Sequence, residues 1–376
     1  MRLDGNLNRY FLNTAARFGP SPAGPFNKHE LGKVDQFFRK EVTPLWHLRT
    51  LAKAVGIADI LVKDESSRLG LNAFKILGVS YAISLMLKEG QITRTSILTC
   101  ATEGNHGRAV ARAAHDNGID AKIYMTRDVA SARRIAVEQE GAEVVIVDGT
   151  YDTAVQTMAE DARNNGWTIV SDTSWPGYEE IPRRIMLGYT RILNEAEIEW
   201  MAEAPDVVLV QAGVGGLAGA IVSWLCQRFG ANRPFTIVCE PSSAACLLES
   251  ARAGRPVSVR GPFTTILAGL RSGEVSPIAW PIIAAAADAF VAIDDEWCVR
   301  AMQALAHPVG GDPAVEAGAS GACGLAVLLA ILQDENLRPV REVSGLTNQA
   351  RAFVINTEGA TDPELHSRII GSEANP

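Results

Sequence analysis

The chain has 376 residues, of which 47% are apolar and 21% charged, and carries a formal net charge of −8. That length supports a large core divided over two or three domains, while the acidic balance offers no basic field to a phosphate backbone and points away from nucleic acid and toward small molecules as partners. The opening MRLDGNLNRYFLNTAARFG lacks an apolar h-region and no stretch reaches the roughly 20 charge-free apolar residues of a membrane helix; the expectation is a cytoplasmic protein without a membrane partner.

Residues 1–40, which include the run GPSPAGP, read as an irregular lead-in. From there, helical periodicity covers 74–88, followed by a strand at 96–101, a helix at 106–117, a strand at 121–125, a helix at 131–140, a strand at 143–148, a helix at 153–164 and a strand at 168–171. Strands at 206–211 and 235–240 flank a helix at 216–229, and a strand at 290–293 precedes a helix at 297–306. This alternation predicts an α/β fold of open, mostly parallel sheets covered by helices, and the apolar run Val207-Val208-Leu209-Val210 suits a strand buried on both faces. A small βαβ domain is expected over 96–195 and a discontinuous large domain over 1–95 and 196–376. Ligands of such folds sit at the carboxyl ends of strands, so the active site is expected in the cleft between the two lobes. The six cysteines, Cys100, Cys226, Cys239, Cys246, Cys298 and Cys323, are dispersed in apolar runs without metal-ligand spacing; buried reduced thiols and no metal site are expected.

Three segments could carry chemistry. Directly after a strand stands Gly213-Val214-Gly215-Gly216-Leu217, whose glycines let backbone approach an anion and whose amides open a helix with partial positive charge. It lacks the Lys and Ser/Thr of a Walker A loop, and tight turn packing is the alternative use of such glycines. A second turn, Thr102-Glu103-Gly104-Asn105-His106, opens the next helix; it either caps that helix or binds a substrate carboxylate through its amides, with the Asn105 side chain on a cofactor oxygen and Glu103 beside the substrate. The third segment sets Lys75 after Gly70-Leu71-Asn72-Ala73-Phe74, among apolar neighbours where a desolvated amine is nucleophilic enough to form a Schiff base. The charge run of Asp64, Glu65 and Arg68 just before it reads as a solvated or ion-paired loop.

Jointly these segments resemble the fold-type II pyridoxal-phosphate enzymes, the superfamily of tryptophan synthase β and threonine dehydratase. Within it the chain is most similar to the diaminopropionate ammonia-lyases, from about Thr43 to Asp362. The resemblance is carried further by Asp172-Thr173-Ser174-Trp175, Glu240-Pro241, Thr264-Thr265-Ile266-Leu267-Ala268-Gly269-Leu270, Gly318-Ala319-Ser320-Gly321 and Asn356-Thr357-Glu358-Gly359. It implies pyridoxal 5'-phosphate as cofactor, Lys75 as its Schiff-base lysine beside Phe74, a phosphate cradle at Gly213, Val214, Gly215, Gly216 and Leu217, and Asn105 on the phenolic oxygen. Either Asn356 or Thr357 would meet the pyridine nitrogen. Thr102, Glu103, Gly104, Asn105, His106 and Asp172 would form the substrate side, and a homodimer is implied. Two positions depart from the pattern: Glu103 stands where Asp is expected, and Ala360 where an acidic residue is expected.

The implied reaction is β-elimination of 2,3-diaminopropionate to pyruvate and ammonia. Lys75, or a carboxylate on the opposite face, would take the Cα proton, while Glu103 and Asp172 would bind the cationic β-substituent and protonate it as it leaves. Because Glu103 moves a carboxylate by about 1.5 Å and a misplacement of about 1 Å costs roughly a hundredfold in rate, a dehydratase or lyase for serine, threonine, hydroxyaspartate or an N-substituted diaminopropionate is the alternative. A nicotinamide-binding fold would place an acidic ribose ligand about 20 residues beyond the glycines; after Gly213 none stands there before Glu240. A non-catalytic binding protein is the remaining reading.

Overall fold

The computed structural model describes residues 8–17, 26–38, 42–200 and 203–372. Among the described residues, eleven strands form two sheets. They are β1 (Arg9–Leu12), β2 (Leu45–His47), β3 (Asp59–Asp64), β4 (Ile97–Ala101), β5 (Asp120–Thr126), β6 (Glu143–Val147), β7 (Thr168–Ile169), β8 (Val207–Gln211), β9 (Phe235–Pro241), β10 (Ala289–Ile293) and β11 (Arg351–Asn356). The order β6-β5-β4-β7 is parallel throughout. The second sheet, β1-β10-β9-β8-β11-β3-β2, is parallel except at its edges, where β1 and β2 run antiparallel.

The expected α/β architecture and its seven strands are present, with ends moved by a residue or two. The irregular lead-in is corrected. The RYFL of β1 pairs with β10 from Arg9 opposite Ala292 to Leu12 opposite Ala289; standing apart from the alternation of strands and helices, it has no local pattern to announce it. Lys28–Phe37 is a helix whose capping box joins the Asn27 side chain to the Glu30 amide at 3.0 Å and the Glu30 carboxylate to the Asn27 amide at 2.9 Å. The GPSPAGP run lies outside the described residues.

Strand β8 shows why an unbroken apolar run works here. Val208 and Val210 enter the core that includes the helix Gly216–Phe229, whereas Val207 and Leu209 enter the opposite core with the helix Cys323–Gln333. Each fully buried aliphatic of this kind contributes roughly 1.5–3 kcal/mol. The six cysteines are free thiols, all buried. Among the described residues no helix is long and apolar enough to cross a membrane.

Two contacts fix the helix Lys75–Lys88. It crosses the helix Glu180–Tyr189 so closely that a Cβ on Gly78 would lie 2.6 Å from the Ile185 carbonyl oxygen and 2.6 Å from the Tyr189 ring; only glycine permits that approach. The segment before it is tied down by charge. Arg68 bonds Glu65 at 2.7 Å and Glu195 at 2.7 Å, Lys63 reaches the same Glu195 oxygen at 2.7 Å, and all four side chains are buried. In the charge run Glu65 and Arg68 are therefore ion-paired and Asp64 is hydrogen-bonded to neutral groups, all buried rather than solvated.

Candidate active site

Turns from both sheets meet at one place, the carboxyl ends of β4, β7, β8 and β11. The amide of Phe74 donates to Thr357 at 3.1 Å and that of Gly359 to Asn72 at 3.0 Å, so the end of β11 pins the turn ahead of Lys75. Asn72 holds a left-handed φ of 58° there. The Lys75 ammonium then projects from the first residue of its helix into an ion pair with Asp172, 5.3 Å from the ring centre of Phe74 and 5.8 Å from that of Tyr189.

Asp172 follows β7. Burial works to raise its carboxyl, but the charges of Lys75 and His106 and the Lys75 hydrogen bond outweigh it and hold the group well below the usual carboxylate range. His106 Nδ1 is 3.7 Å from Asp172 Oδ2. Its Nε2 lies 2.8 Å from the Val170 carbonyl, which assigns the proton to Nε2 and turns the Nδ1 lone pair toward Asp172. Burial outweighs the neighbouring Asp172 charge and keeps the imidazole below its ordinary value. The loop is braced by Tyr178, whose hydroxyl accepts from the Ser171 amide at 2.8 Å and donates to the Ile169 carbonyl at 3.0 Å.

The glycine turn closes the other side. Gly215 has φ 98° and precedes the helix Gly216–Phe229. The opening amides of a helix have no intrahelical carbonyl to bond, and glycine at 213, 215 and 216 leaves no side chain over them. Ser276 anchors the turn by donating its amide to the Val214 carbonyl at 2.8 Å. A Cβ on Gly216 would sit 3.6 Å from the Asp172 carbonyl oxygen, so the turn adjoins the residue that pairs with Lys75. Leu217 is buried behind it.

The remaining expected residues have specific partners. The Thr102 hydroxyl accepts from the Gly104 amide at 3.0 Å and the Gly107 amide at 3.3 Å, which shapes the turn that carries Glu103. Asn105 opens the helix Asn105–Asp116 and donates its side-chain amide to Glu358. A cavity of about 180 Å³ adjoins this turn, lined in part by Asn72, Gly104, Asn105, Arg133 and Thr361. Asn356, opposite Asp64 in the strand register, donates to the Asp64 carboxylate at 2.8 Å and the Glu316 carbonyl at 2.8 Å. Thr357 accepts from Gln211 at 3.0 Å, and its own hydroxyl proton has only a distant acceptor, the Ser320 carbonyl at 3.5 Å.

Glu103 is 28% exposed. Burial lifts its carboxyl above the ordinary value against the opposing charges of Arg271 and Arg133. Asp172 and Glu103 are thus pushed in opposite directions.

Sequence reasoning missed Glu358, Tyr189, Gln211 and Arg271. Glu358 is 2% exposed and accepts from Asn105, from Thr361 at 3.2 Å and from the Ser320 amide at 3.2 Å. It stands inside the Asn356-Thr357-Glu358-Gly359 stretch, which was the available signal. Tyr189 reaches Lys75 only through the helix crossing, which no local pattern reveals.

Chemically, the arrangement offers an amine in an aromatic and carboxylate setting, a cradle for a phosphate monoester beside it, a hydroxyl and two amides on the third side, and two carboxyl groups of unlike acidity. These fit pyridoxal phosphate: an amine for its aldehyde, free helix-opening amides for its phosphate, and at Thr357 a hydroxyl proton available to a pyridine nitrogen.

Comparison with known proteins agrees with this chemistry. The family model of pyridoxal-phosphate dependent enzymes matches residues 38–346. The diaminopropionate ammonia-lyase of Escherichia coli (strain K12) is 36% identical over 376 residues, covering 94% of each chain. That of Salmonella typhimurium is 36% identical over 396 residues, covering 97% of this chain and 98% of the relative. The crystal structure of the Escherichia coli enzyme in complex with an aminoacrylate-PLP azomethine reaction intermediate superposes with a TM-score of 0.90 at 35% identity, covering 97% of each chain.

Proposed function

Since this chain belongs to the family of pyridoxal-phosphate dependent enzymes, we propose that it eliminates the β-amino group of 2,3-diaminopropionate, consuming one water and releasing pyruvate and two ammonia. Pyridoxal phosphate is its cofactor. The observation that carries the reading is the convergence of Lys75, Asp172 and the glycine turn, because it sets an amine, an ionised carboxylate and a phosphate cradle around one space.

In this reading Lys75 holds the aldehyde carbon, the amides from Gly213 to Leu217 hold the phosphate, Asn105 faces the phenolic oxygen and Phe74 flanks the ring. Thr357 meets the pyridine nitrogen, supported by the length of its hydroxyl's bond to the Ser320 carbonyl, 3.5 Å, whereas the Asn356 amide is committed to Asp64 and Glu316 at 2.8 Å each. The bound cofactor supplies an electron sink that lets the Cα–H bond of an amino acid ionise.

The chain's residues do the rest. Amides at Gly104 and Asn105 bind the substrate carboxylate, with Thr102 bracing their turn. Lys75 Nζ, freed by the incoming amine, takes the Cα proton. Asp172, kept ionised, binds the β-ammonium, with the buried His106 ring packed beside that carboxylate. Glu103, whose carboxyl burial lifts above its ordinary value, faces the same nitrogen; once the Cβ–N bond breaks and leaves its electron pair on nitrogen, Glu103 passes a proton to the departing ammonia. Unlike acidities in two neighbouring carboxyl groups divide the roles in this way.

We further propose that residues 96–195 act as the smaller domain and 1–95 with 196–376 as the larger, and that the enzyme is a cytoplasmic homodimer, as the family resemblance implies; light scattering should give twice the 40.3 kDa chain mass.

The deciding experiment records the absorbance of the purified protein, adds DL-2,3-diaminopropionate and assays pyruvate and ammonia, with Lys75→Ala as control. A band at about 410–420 nm, abolished in the control, with two ammonia per pyruvate supports the proposal. The band without turnover moves the substrate to another β-substituted amino acid.

A further inference from the structure

Glu103 and Arg271 come from different sheets. Glu103 follows β4, whereas Arg271 lies in the connection between β9 and β10. Their closest approach, Nη1 to Oε2, is 4.0 Å, beyond hydrogen-bond range. The Arg271 side chain is held back from closing that gap. The guanidinium is anchored to the Thr265 carbonyl through Nε at 3.2 Å and Nη2 at 2.7 Å. Arg133 donates to the Glu103 carbonyl at 3.3 Å and stiffens the opposite wall.

Both residues belong to segments that border the site. Gly269, two residues before Arg271, places its carbonyl oxygen 3.5 Å from the position of a Gly213 Cβ and donates its amide to Ser320 at 3.0 Å. Arg271 is thus fixed next to the phosphate turn, and Glu103 two residues before Asn105. Both side chains remain open to a ligand, at 36% and 28% exposure.

A bare β-ammonium, held by Asp172 and facing Glu103, would offer the positive Arg271 side chain no anion. A β-nitrogen that carries a short carboxylate arm answers both sides of the gap, the nitrogen, held by Asp172, facing the Glu103 carboxyl and the carboxylate pairing with the Nη1 edge of Arg271, since a guanidinium presents several donors in a fixed plane. We infer that Glu103 and Arg271 form a dipolar receptor for β-nitrogen substituents ending in a carboxylate, and that Arg271 is a specificity-determining residue favouring N3-carboxyalkyl 2,3-diaminopropionates.

The inference rests on the elimination proposed above. For the N3-carboxymethyl compound the Cα proton is lost, the Cβ–N bond breaks, the departing nitrogen takes up a proton and leaves as glycine. Water then hydrolyses the remaining enamine to pyruvate and ammonium. No oxidant or reductant is required.

The test compares N3-carboxymethyl- with N3-methyl-2,3-diaminopropionate, which share the secondary ammonium and differ in the carboxylate. For each, kcat/KM is measured from pyruvate release, and a dissociation constant from the change in the cofactor absorbance band. Wild-type enzyme should prefer the carboxymethyl compound. That preference should fall about tenfold in Arg271→Gln, fall further or invert in Arg271→Glu, and survive in part in Arg271→Lys. Retention of the cofactor band certifies each variant as folded. A preference unchanged within twofold in the Gln and Glu variants overturns the inference, as does a wild-type enzyme that binds the methyl compound equally well. If neither compound, nor diaminopropionate itself, is turned over, the elimination reading falls and the binding ratio alone decides on Arg271.

Discussion

Asp172 contacts Lys75 through its carboxylate while its backbone carbonyl lies against the glycine turn, so one residue couples the amine to the phosphate cradle. Asp172→Asn keeps the shape and removes the charge. We expect the cofactor to bind but kcat to fall by about 10²–10⁴, the range for a lost proton-handling group, with a displaced cofactor absorbance maximum because the Lys75 counter-ion is gone. A variant with wild-type kcat would show that Asp172 is only structural.

The Gly78 crossing yields a second prediction. Gly78→Ala sets a methyl 2.6 Å from the Ile185 carbonyl oxygen and from the Tyr189 ring, and backbone cannot rotate away as a side-chain end can. Overpacking of this kind costs about 1–3 kcal/mol. Since Tyr189 flanks Lys75, a lower melting temperature should be accompanied by weaker cofactor retention in dialysis. Gly90→Ala, with nothing within 4 Å of its added Cβ but a positive φ of 70°, reports backbone strain alone and should leave retention intact.

What the sequence revealed follows the range of the physics. Strand β8 and the helix Gly216–Phe229 were legible because burial on both faces and a glycine-opened helix leave local marks. Strand β3 was not, because DILVKD begins and ends in acid and contains Lys63; those charges are satisfied from far away, Lys63 by Glu195 and Asp64 by Asn356. Glu103 was recognised as standing in the substrate turn. Its partner Arg271 is 168 residues distant in the chain, at 103 and 271 respectively, and only the packing of one sheet against the other brings it near. The segments that resemble a family supplied Lys75, Asn105 and the cradle; the acidity of each carboxyl required the fold.

The buried cluster around Glu195 predicts a pH dependence of stability. Burial opposes its ionisation, but Arg68 and Lys63 prevail and hold the carboxyl at about 2, against an ordinary 4.5. The folded state therefore releases this proton more readily than the unfolded chain, so the contribution is complete above about pH 4.5 and is lost as pH falls toward 2. By linkage it amounts to about 3 kcal/mol. Urea titrations from pH 7 to pH 3 should show stability falling, and Glu195→Gln, which leaves Lys63 and Arg68 under-compensated, should be destabilised at pH 7 by about 3–5 kcal/mol and be less sensitive to acid. Because Arg68 precedes the Lys75 turn, the variant should also release cofactor faster.

Glu103 provides the sharpest test of the proposed roles. As a carboxyl that burial lifts above its ordinary value, it can donate to the leaving nitrogen only below its own pKa, so a decline of kcat with rising pH should belong to it. Glu103→Gln should lower kcat by about 10²–10⁴ and abolish that decline. Arg271 and Arg133 both pull the carboxyl down, so Arg271→Gln should displace the same limb to higher pH with Glu103 intact. Glu103→Asp withdraws the carboxyl by about 1.5 Å from Arg271, already 4.0 Å away. It should shift preference toward unsubstituted diaminopropionate, whose β-ammonium has no anionic arm to reach the guanidinium. A pH profile identical in wild type and Glu103→Gln, recorded as kcat at saturating substrate, would assign the proton to another group and leave Glu103 as a binding residue alone.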